Sequence, residues 1–329
     1  MTFFKHIRIG TWWFKLPPFL VLIYLYFIKE NENDFGQEIF LVLFLILGII
    51  TIAVFASLIN NYYDQEDDLI AGKENKMINL SQNYKYIVLG SAFFTGILYS
   101  VFLFPNFYAL VFYWLSWFCF YLYSCKQFRL KEKAYLGVIF DGLGSQFFPT
   151  LFIFSFLYKG DIGNHLLFIV SGSIWMTFSF GMRSLIIHQY DDYENDIKAG
   201  VSTFVNSTSQ LSKSLFQGFV LFGEIISFMV FMWAIDWQIF VFPILIYVLL
   251  LVVFKIVFTI KFYFFKPLEN ERSRSLFFDF YITILPLALL GVLTFKNYQN
   301  AILLVFSIIL FNVPTLLNAM NFLKVKAIK

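Results

Sequence analysis

Two acidic stretches of the chain carry the residue types and the spacing that could do chemistry. The first, NNYYDQEDDLIAG, begins at Asn60, and the second, HQYDDYENDIKAG, begins at His188. Each copy holds two aspartates four residues apart, a spacing that puts both carboxylates on one face of a helix. Two carboxylates so placed repel each other unless a cation lies between them. The copies agree at these positions: Tyr62/Tyr190, Asp64/Asp192, Glu66/Glu194, Asp68/Asp196, Ala71/Ala199 and Gly72/Gly200.

A solvated loop is the ordinary interpretation of one acidic motif at a helix end, but two matching copies favour a binding site. Asn60 lies four residues before Asp64, and His188 takes the equivalent place in the second copy. The Ala-Gly pair that closes each copy is a typical helix stop. We expect the remaining acidic residues to point away from the shared face and to be solvated: Glu66, Asp67, Asp191 and Glu194.

The ligand types predict a magnesium site. Carboxylate and amide oxygens suit a hard cation, and Mg²⁺ is commonly held by one or two carboxylates together with the phosphate oxygens of a substrate. Zinc fits poorly, because the chain has 3 histidines and only His188 lies near the motifs. Two facing copies would hold several Mg²⁺ ions around a polyanion such as a diphosphate. The predicted ligands are Asp64, Asp68, Asp192, Asp196 and Asn60.

Long apolar runs predict the elements that position these motifs. The chain is 60% hydrophobic and only 14% charged. Apolar runs of more than about 18 residues indicate membrane-spanning helices, and each motif follows such a run. We therefore predict an all-α polytopic membrane protein. Its ten predicted spans are 12–28, 38–59, 84–104, 107–124, 135–158, 165–187, 214–235, 237–259, 276–295 and 299–317.

The charges of the loops predict an orientation and exclude some partners. With these spans, 20 of the 24 basic residues lie on the side that holds both termini and both motifs. The positive-inside rule then puts the N-terminus and the acidic motifs in the cytoplasm, and we expect a bacterial inner membrane. A net charge of +3 without a dense basic stripe excludes a nucleic-acid partner. Cys119 and Cys125 are too few for a disulfide framework.

At these residues the chain resembles the UbiA-type intramembrane prenyltransferase superfamily. The first copy matches the N-x-x-x-D-x-x-x-D signature after the second span, and the second copy matches D-x-x-x-D after the sixth. The stretch DIKAGVSTF resembles the D-x-x-A-G-x-x-T continuation of the family. GTWWFKLPP near the N-terminus and YLYSCKQFRLK after span four resemble further family segments, with Tyr123 and Lys131 the closest matches. Three features depart from the family: Asn61 replaces the commoner Asp of the first signature, the segment after span four lacks the usual proline, and a tenth span is one more than the nine-helix core of the family.

The resemblance covers roughly residues 8–295. It implies a bundle of nine helices around a central cavity. With the extra C-terminal span that the apolar runs predict, we expect one membrane domain over 1–329. The implied activity is Mg²⁺-dependent transfer of an isoprenoid chain from its diphosphate to a small acceptor, often an aromatic quinone precursor. Loss of the diphosphate leaves an allylic carbocation, which an apolar cavity in the bilayer would keep from water. Aromatic faces stabilise cations, and Tyr123 is the first candidate for this role.

Further residues are candidates for contact with the substrates. His188 is a candidate for acceptor specificity or proton handling. Asp141 in span five could orient the acceptor or accept a proton, or it could form a structural ion pair with Arg183 in span six. Basic residues of the cytoplasmic loops are candidates for diphosphate contact, although the positive-inside rule explains them equally well. These residues are Lys73, Arg129 and Lys131.

Two other functions are alternatives to a prenyltransferase. A UbiA-type terpene cyclase would use the same Mg²⁺ sites and the same diphosphate but no separate acceptor, so the sequence does not separate it from a transferase. A transporter with an ion path predicts acids near the middle of the bilayer. The acidic motifs lie instead at helix ends on one side, which disfavours a transporter.

Overall fold

The computed structural model describes residues 9–30, 34–159, 161, 163–268 and 272–312. These residues are mainly helical, as predicted. The helices are α1 (Pro17–Glu30), α2 (Phe35–Tyr63), α3 (Gln65–Ile70), α4 (Gln82–Leu103), α5 (Phe107–Ser124), α6 (Tyr135–Leu157), α7 (Leu166–Asp191), α8 (Tyr193–Ala199), α9 (Phe204–Ser207), α10 (Gln210–Ile235), α11 (Gln238–Ile256), α12 (Phe280–Lys296) and α13 (Tyr298–Asn312). Short helical turns cover Ile9–Trp12, Trp13–Lys15, Leu130–Glu132 and Gly163–His165.

Seven helices of the described residues are long and apolar enough to cross a membrane: α2, α4, α5, α6, α7, α10 and α11. They coincide with seven of the predicted spans. The other three predicted spans correspond to the shorter apolar helices α1, α12 and α13. Residues 313–317 of the last predicted span lie outside the described residues. The count of ten spans therefore stays a prediction.

The first predicted span begins later in the structure than the sequence suggested. The helix α1 starts at Pro17, not at residue 12, and Pro17 and Pro18 form its first turn. Proline is favoured there because its missing N–H would have no helical partner in the first turn. The two prolines therefore start this helix rather than interrupt it. Eleven of its 14 residues are buried.

A short parallel β-pair follows α11 and is missing from the all-α prediction. Strand β1 (Lys261–Tyr263) pairs with β2 (Ser273–Ser275), with Phe262 opposite Arg274. With three residues each, the strands are too short to give the alternating pattern that identifies a strand in a sequence.

A fully buried ion pair joins α7 to α10. The Nε and Nη2 atoms of Arg183 donate to the Glu224 carboxylate at 2.5 and 2.8 Å. Its Nη1 atom donates to the Ser275 hydroxyl and to the Leu276 carbonyl, each at 3.0 Å. The sequence suggested Asp141 as the partner of Arg183. In the structure, Glu224 accepts both of these hydrogen bonds. Because a buried charge is costly without partners, the contact ties β2 and α10 to α7.

The chain groups into two compact units. The first consists mainly of Leu47–Asp236 and Thr259–Leu276, and it contains both acidic motifs. In the second, which includes Gly10–Ile46, α1 packs against α12, and Lys296 Nζ donates to the Ile28 carbonyl at 3.1 Å. A hydrophobic core of the first unit packs α6, α7, α9 and α10 together around the end of α7 that leads to the second motif. Its buried members are Val138, Met182, Leu185, Ile186, Phe204, Val205, Val220 and Phe265.

A glycine contact fixes the crossing of α6 and α7. A Cβ atom on Gly181 would lie 2.5 Å from the Cα atom of Gly142, so the two backbones are nearly in contact. Both glycines adjoin or lie in π-helical stretches, Leu143–Phe147 in α6 and Thr177–Arg183 in α7. Such stretches often occur at functional sites. The close crossing positions the helix that ends in the second acidic motif.

Candidate active site

The two acidic copies share one backbone conformation. Asp64 has φ −94° and ψ 9°, and Asp192 has φ −93° and ψ 2°, so each interrupts its helix in the same way. Their amide nitrogens still donate to the carbonyl four residues earlier, at 2.9 and 3.0 Å. The amides of Asp68 and Asp196 donate in turn to the carbonyls of Asp64 and Asp192, at 2.8 and 2.9 Å. Helical spacing therefore persists through the break, as the four-residue pattern predicts.

Both copies also end in the same way, as their Ala-Gly pairs predict. Gly72 has φ +70° and Gly200 has φ +71°, a region that suits glycine because it has no Cβ. The Lys73 amide donates to the carbonyl of Asp68 at 2.7 Å, and the Val201 amide donates to that of Asp196 at 2.9 Å. This is the Schellman pattern of helix ends. It turns the chain back immediately after the second aspartate of each copy.

The two copies line one cavity of about 120 Å³. Most of the predicted site residues meet there: Asn60, Asp64, Asp68, Lys73, Tyr123, Lys131, His188, Asp192 and Asp196. Asp67 lines it too, so our expectation that this residue points away is wrong. Five carboxylates and two ammonium groups give the lining a formal charge of −3 with His188 neutral. The cavity is thus a candidate site for cations.

Two residues outside the first copy, Lys131 and Asn75, hold its carboxylates in place. Lys131 Nζ forms a salt bridge with the Asp64 carboxylate and lies 3.8 Å from Asp67 Oδ2. Asn75 Nδ2 donates to Asp68 Oδ2 at 2.9 Å. Asp64 and Asp68 are buried, at 7% and 6% exposed. The carboxylates of this copy are therefore held in place before any ligand binds.

Arg129 lies outside the cavity lining and contacts one of its residues, Asp67. Its guanidinium forms salt bridges with Asp67 and with Glu132. Burial opposes the charged form, but the carboxylates of Glu132, Asp67 and Asp64 outweigh it and raise the pKa of Arg129. Arg129 has φ +41°, in the left-handed region. Because few non-glycine residues adopt this region, the turn before Lys131 depends on the ion pairs that hold it.

The second copy is more open and is held by a residue of the first. Lys73 Nζ lies 3.0 Å from Asp192 Oδ2 and 3.9 Å from Asp196 Oδ1. His188 Nε2 lies 3.4 Å from Asp192 Oδ2, and the histidine side chain is 62% exposed. Lys73 thus reaches from the end of the first copy to both carboxylates of the second.

The charges and the donor atoms fit Mg²⁺. Burial raises the pKa of the Asp196 carboxyl and Asp192 adds to this effect, whereas Lys73, Thr203 and Lys131 oppose it. The five carboxylates of the lining outnumber its two ammonium groups, so the protein's own cations do not balance the charge of the cavity. Within the described ranges, no three carboxylate, histidine or cysteine side chains converge on one point as a complete metal site. Mg²⁺ does not need such a cage, because waters and phosphate oxygens commonly complete its shell.

Asn75 was missed in the sequence, and Thr203, the Thr of the stretch DIKAGVSTF, was given no role, although a signal for both exists. Asn75 contacts Asp68, and Thr203, which lines the cavity, influences Asp196. Thr203 is the counterpart of Asn75 when the two copies are aligned past their ends. Extending the alignment by a few residues would have found both. Asp141, by contrast, lies on α6 and is absent from the cavity lining.

Comparison with known proteins identifies the family. The UbiA prenyltransferase family matches residues 16–285. The chain belongs to this family. No curated protein matches the chain. The UbiA-family fold is also found in solved structures of a UbiA homolog from Archaeoglobus fulgidus, bound to GPP and Mg²⁺ or to DMAPP and Mg²⁺. The TM-scores are 0.55 and 0.52, at 14% identity, and each match covers 95% of this chain and 100% of the homolog.

Proposed function

We propose that this UbiA-family protein transfers a prenyl group from a prenyl diphosphate to a small aromatic acceptor, such as a quinone precursor, with Mg²⁺ as cofactor. One observation carries the proposal: two copies of an acidic motif line one cavity together with two lysines. A diphosphate needs cations on more than one side, and this arrangement offers metal ligands on two. The GPP and DMAPP bound with Mg²⁺ in the A. fulgidus homolog support the choice of donor.

The carboxylates would hold Mg²⁺, with Asn60 as a further ligand. The metal-binding residues we propose are Asp64, Asp68, Asp192 and Asp196. When bound, Mg²⁺ neutralises the charge that develops on the leaving diphosphate. Lys73 and Lys131 line the same cavity, and their Nζ atoms would donate to diphosphate oxygens. Arg129 would not contact the diphosphate directly. It would instead position Asp67, with which it forms an ion pair.

Apolar residues beside the cavity would protect the allylic carbocation. Tyr123 and Leu185 line the cavity and also pack in the hydrophobic core with Val138 and Ile186. The ring of Tyr123 can stabilise a cation through its face. The neighbouring aliphatic side chains would exclude water, which would otherwise trap the cation as an alcohol.

The acceptor side of the site is assigned to two residues. We propose that His188, which lines the cavity and is largely exposed, contacts the acceptor. We keep Asp141 as a candidate for orienting the acceptor, although it is not in the cavity lining. We further propose a single membrane domain of ten spans with the N-terminus and the motifs in the cytoplasm of a bacterial inner membrane.

Product analysis tests this proposal. Purified protein is given GPP and Mg²⁺ with a panel of aromatic acids, phenols and naphthoates, and the products are identified by mass spectrometry. We expect a prenylated acceptor that disappears with Asp192→Asn or with EDTA. A cyclic hydrocarbon or alcohol formed without any acceptor would overturn the transferase in favour of a cyclase.

A further inference from the structure

A second cavity opens on the first unit outside the acidic site. It has a volume of about 470 Å³, within the range of about 300 to 1,000 Å³ that is usual for ligand pockets. Helices α2, α4 and α5 form it, and its lining residues are Phe55, Ile59, Tyr62, Tyr63, Tyr86, Leu89, Gly90, Phe93 and Tyr121. It shares no lining residue with the acidic cavity. We call it the aromatic groove.

The groove is lined by exposed aromatic side chains and carries no charge. Tyr86, Phe93 and Tyr121 are exposed on helices long and apolar enough to span a membrane, so in a bilayer they would contact lipid or a molecule dissolved in lipid. Six of its nine lining residues are aromatic and none is ionic. A diphosphate would find no cation here, so the groove suits the uncharged partner of the reaction.

The lining of the groove offers both phenol hydroxyl groups and aromatic faces. Tyr62 OH accepts from Gln82 Nε2 at 3.0 Å, and Tyr63 OH accepts from Cys125 Sγ at 3.4 Å. Each phenol can both donate and accept, and so keeps capacity for an oxygen of a ligand. Phe55, another lining residue, stacks on Trp117 with ring centroids 4.2 Å apart. An oxygenated aromatic ring would satisfy both surfaces, because rings stack on rings and its oxygens reach the phenols.

The ordinary role of tyrosine at a membrane interface does not explain the concave shape. Interfacial tyrosines need only an apolar body and a wet tip. Here Gly90 forms part of the wall, and a Cβ atom on it would meet nothing within 4 Å. A larger residue would fit without a clash, so the groove is open because this position has no side chain.

We propose that the aromatic groove binds an uncharged quinone-type or phenolic ring that enters from the bilayer. This inference rests on the proposed function, because it gives the aromatic acceptor, or its prenylated product, a binding site at the lipid face. Tyr62 and Tyr63 immediately precede Asp64, so the groove lies on the same helix as the first acidic copy.

Quinone binding with a matched pair of glycine variants tests the inference. The protein is placed in lipid nanodiscs, and menadione binding is followed by quenching of tryptophan fluorescence. Trp117 stacks on the lining residue Phe55, so its fluorescence should respond to a quinone in the groove. Gly90→Phe fills the groove. Gly218→Phe is the control, because Gly218 on α10 also has nothing within 4 Å of a Cβ atom and lies outside both cavities.

We expect Gly90→Phe to weaken menadione binding by at least about tenfold, and Gly218→Phe to leave it unchanged. Tyr62→Phe should weaken it by a few-fold through loss of one hydroxyl, which a merely apolar groove would not show. Nanodiscs with brominated acyl chains provide the second arm. If Gly90→Phe relieves quenching by brominated lipid but not by menadione, the groove holds lipid tails and the inference is overturned.

Equal menadione affinity in wild type and Gly90→Phe would also overturn it. Mg²⁺-dependent release of diphosphate from GPP is measured on the same preparations. Its absence in the wild type would count against the proposed function, whereas equal quinone binding by the two proteins would count only against the groove. The two failures are therefore distinguishable.

Discussion

The two acidic copies have nearly the same backbone and different surroundings. In the first copy, Asp64 and Asp68 are buried and held by Lys131 and Asn75. In the second, no residue of α8 is buried, and the main cationic partner is Lys73, supplied by the first copy. The shared backbone serves a shared task, the placement of two carboxylates at helical spacing. The different surroundings indicate a fixed half and an open half, and we expect substrates to approach from the open half.

Replacing a carboxylate in either acidic copy should lower turnover to a similar extent. We expect Asp68→Asn and Asp196→Asn each to lower Mg²⁺-dependent turnover by at least about a hundredfold, because each removes a carboxylate that we propose holds Mg²⁺ against the leaving diphosphate. Steady-state assays with GPP measure this, with Glu194→Gln as a control outside the cavity lining. A large loss from only one copy would break the proposed equivalence.

Replacing the lysine partner of each acidic copy should change the free energy of unfolding by different amounts. Lys131→Met should lower the free energy of unfolding by about 3 kcal/mol, because it leaves the buried Asp64 carboxylate without its partner. Lys73→Met should cost less than about 1 kcal/mol, since its salt bridge with Asp192 is partly exposed. Thermal unfolding in detergent at low metal concentration compares the two. Equal losses would contradict the distinction between a fixed and an open copy.

The residues that support the second aspartates should affect metal affinity unequally. Asn75→Leu removes the donors to Asp68 Oδ2 and to the Asn61 carbonyl, and we expect Mg²⁺ affinity to fall by about 10- to 100-fold. Thr203→Val removes one hydroxyl beside Asp196 and should have a smaller effect. Titration with Mg²⁺ in the presence of GPP measures both. A larger effect of Thr203→Val would reverse the assignment of the fixed half.

His188 is the sharpest difference between the copies, and its replacement should have the smallest effect on the donor half of the reaction. His188→Asn gives the second copy the residue of the first. We expect release of diphosphate from GPP to change less than about threefold, with a clear increase in the KM of the acceptor. The reciprocal change Asn60→His is the control. An unchanged acceptor KM would remove His188 from the acceptor site.

The part of the site that depends on local spacing could be predicted from the sequence. Four-residue spacing and the Ala-Gly ends determine hydrogen bonds within one helical turn, so Asp64, Asp192, Gly72 and Gly200 lie as expected. The long apolar runs likewise fixed the type of fold, because few other structures can bury them.

Contacts made across the chain could not be predicted in this way. Lys131 reaches Asp64 over 67 residues, and Arg183 reaches Glu224 over 41. From the sequence, other loop lysines were as good candidates for the contact with Asp64, and Asp141 was the candidate partner for Arg183. Only the packing of the helices decides between them. Asp67 was assigned to solvent for the same reason, since helical spacing alone does not reveal the neighbouring loop that carries Lys131.

The central claim is that both acidic copies hold metal around one diphosphate. Electron paramagnetic resonance of Mn²⁺ bound to the purified protein, with and without GPP, measures this directly. We predict that GPP increases the number of bound Mn²⁺ ions, and that Asp68→Asn and Asp196→Asn each abolish the increase. Retention of the full GPP-dependent Mn²⁺ signal in either variant would contradict a metal site shared by the two copies.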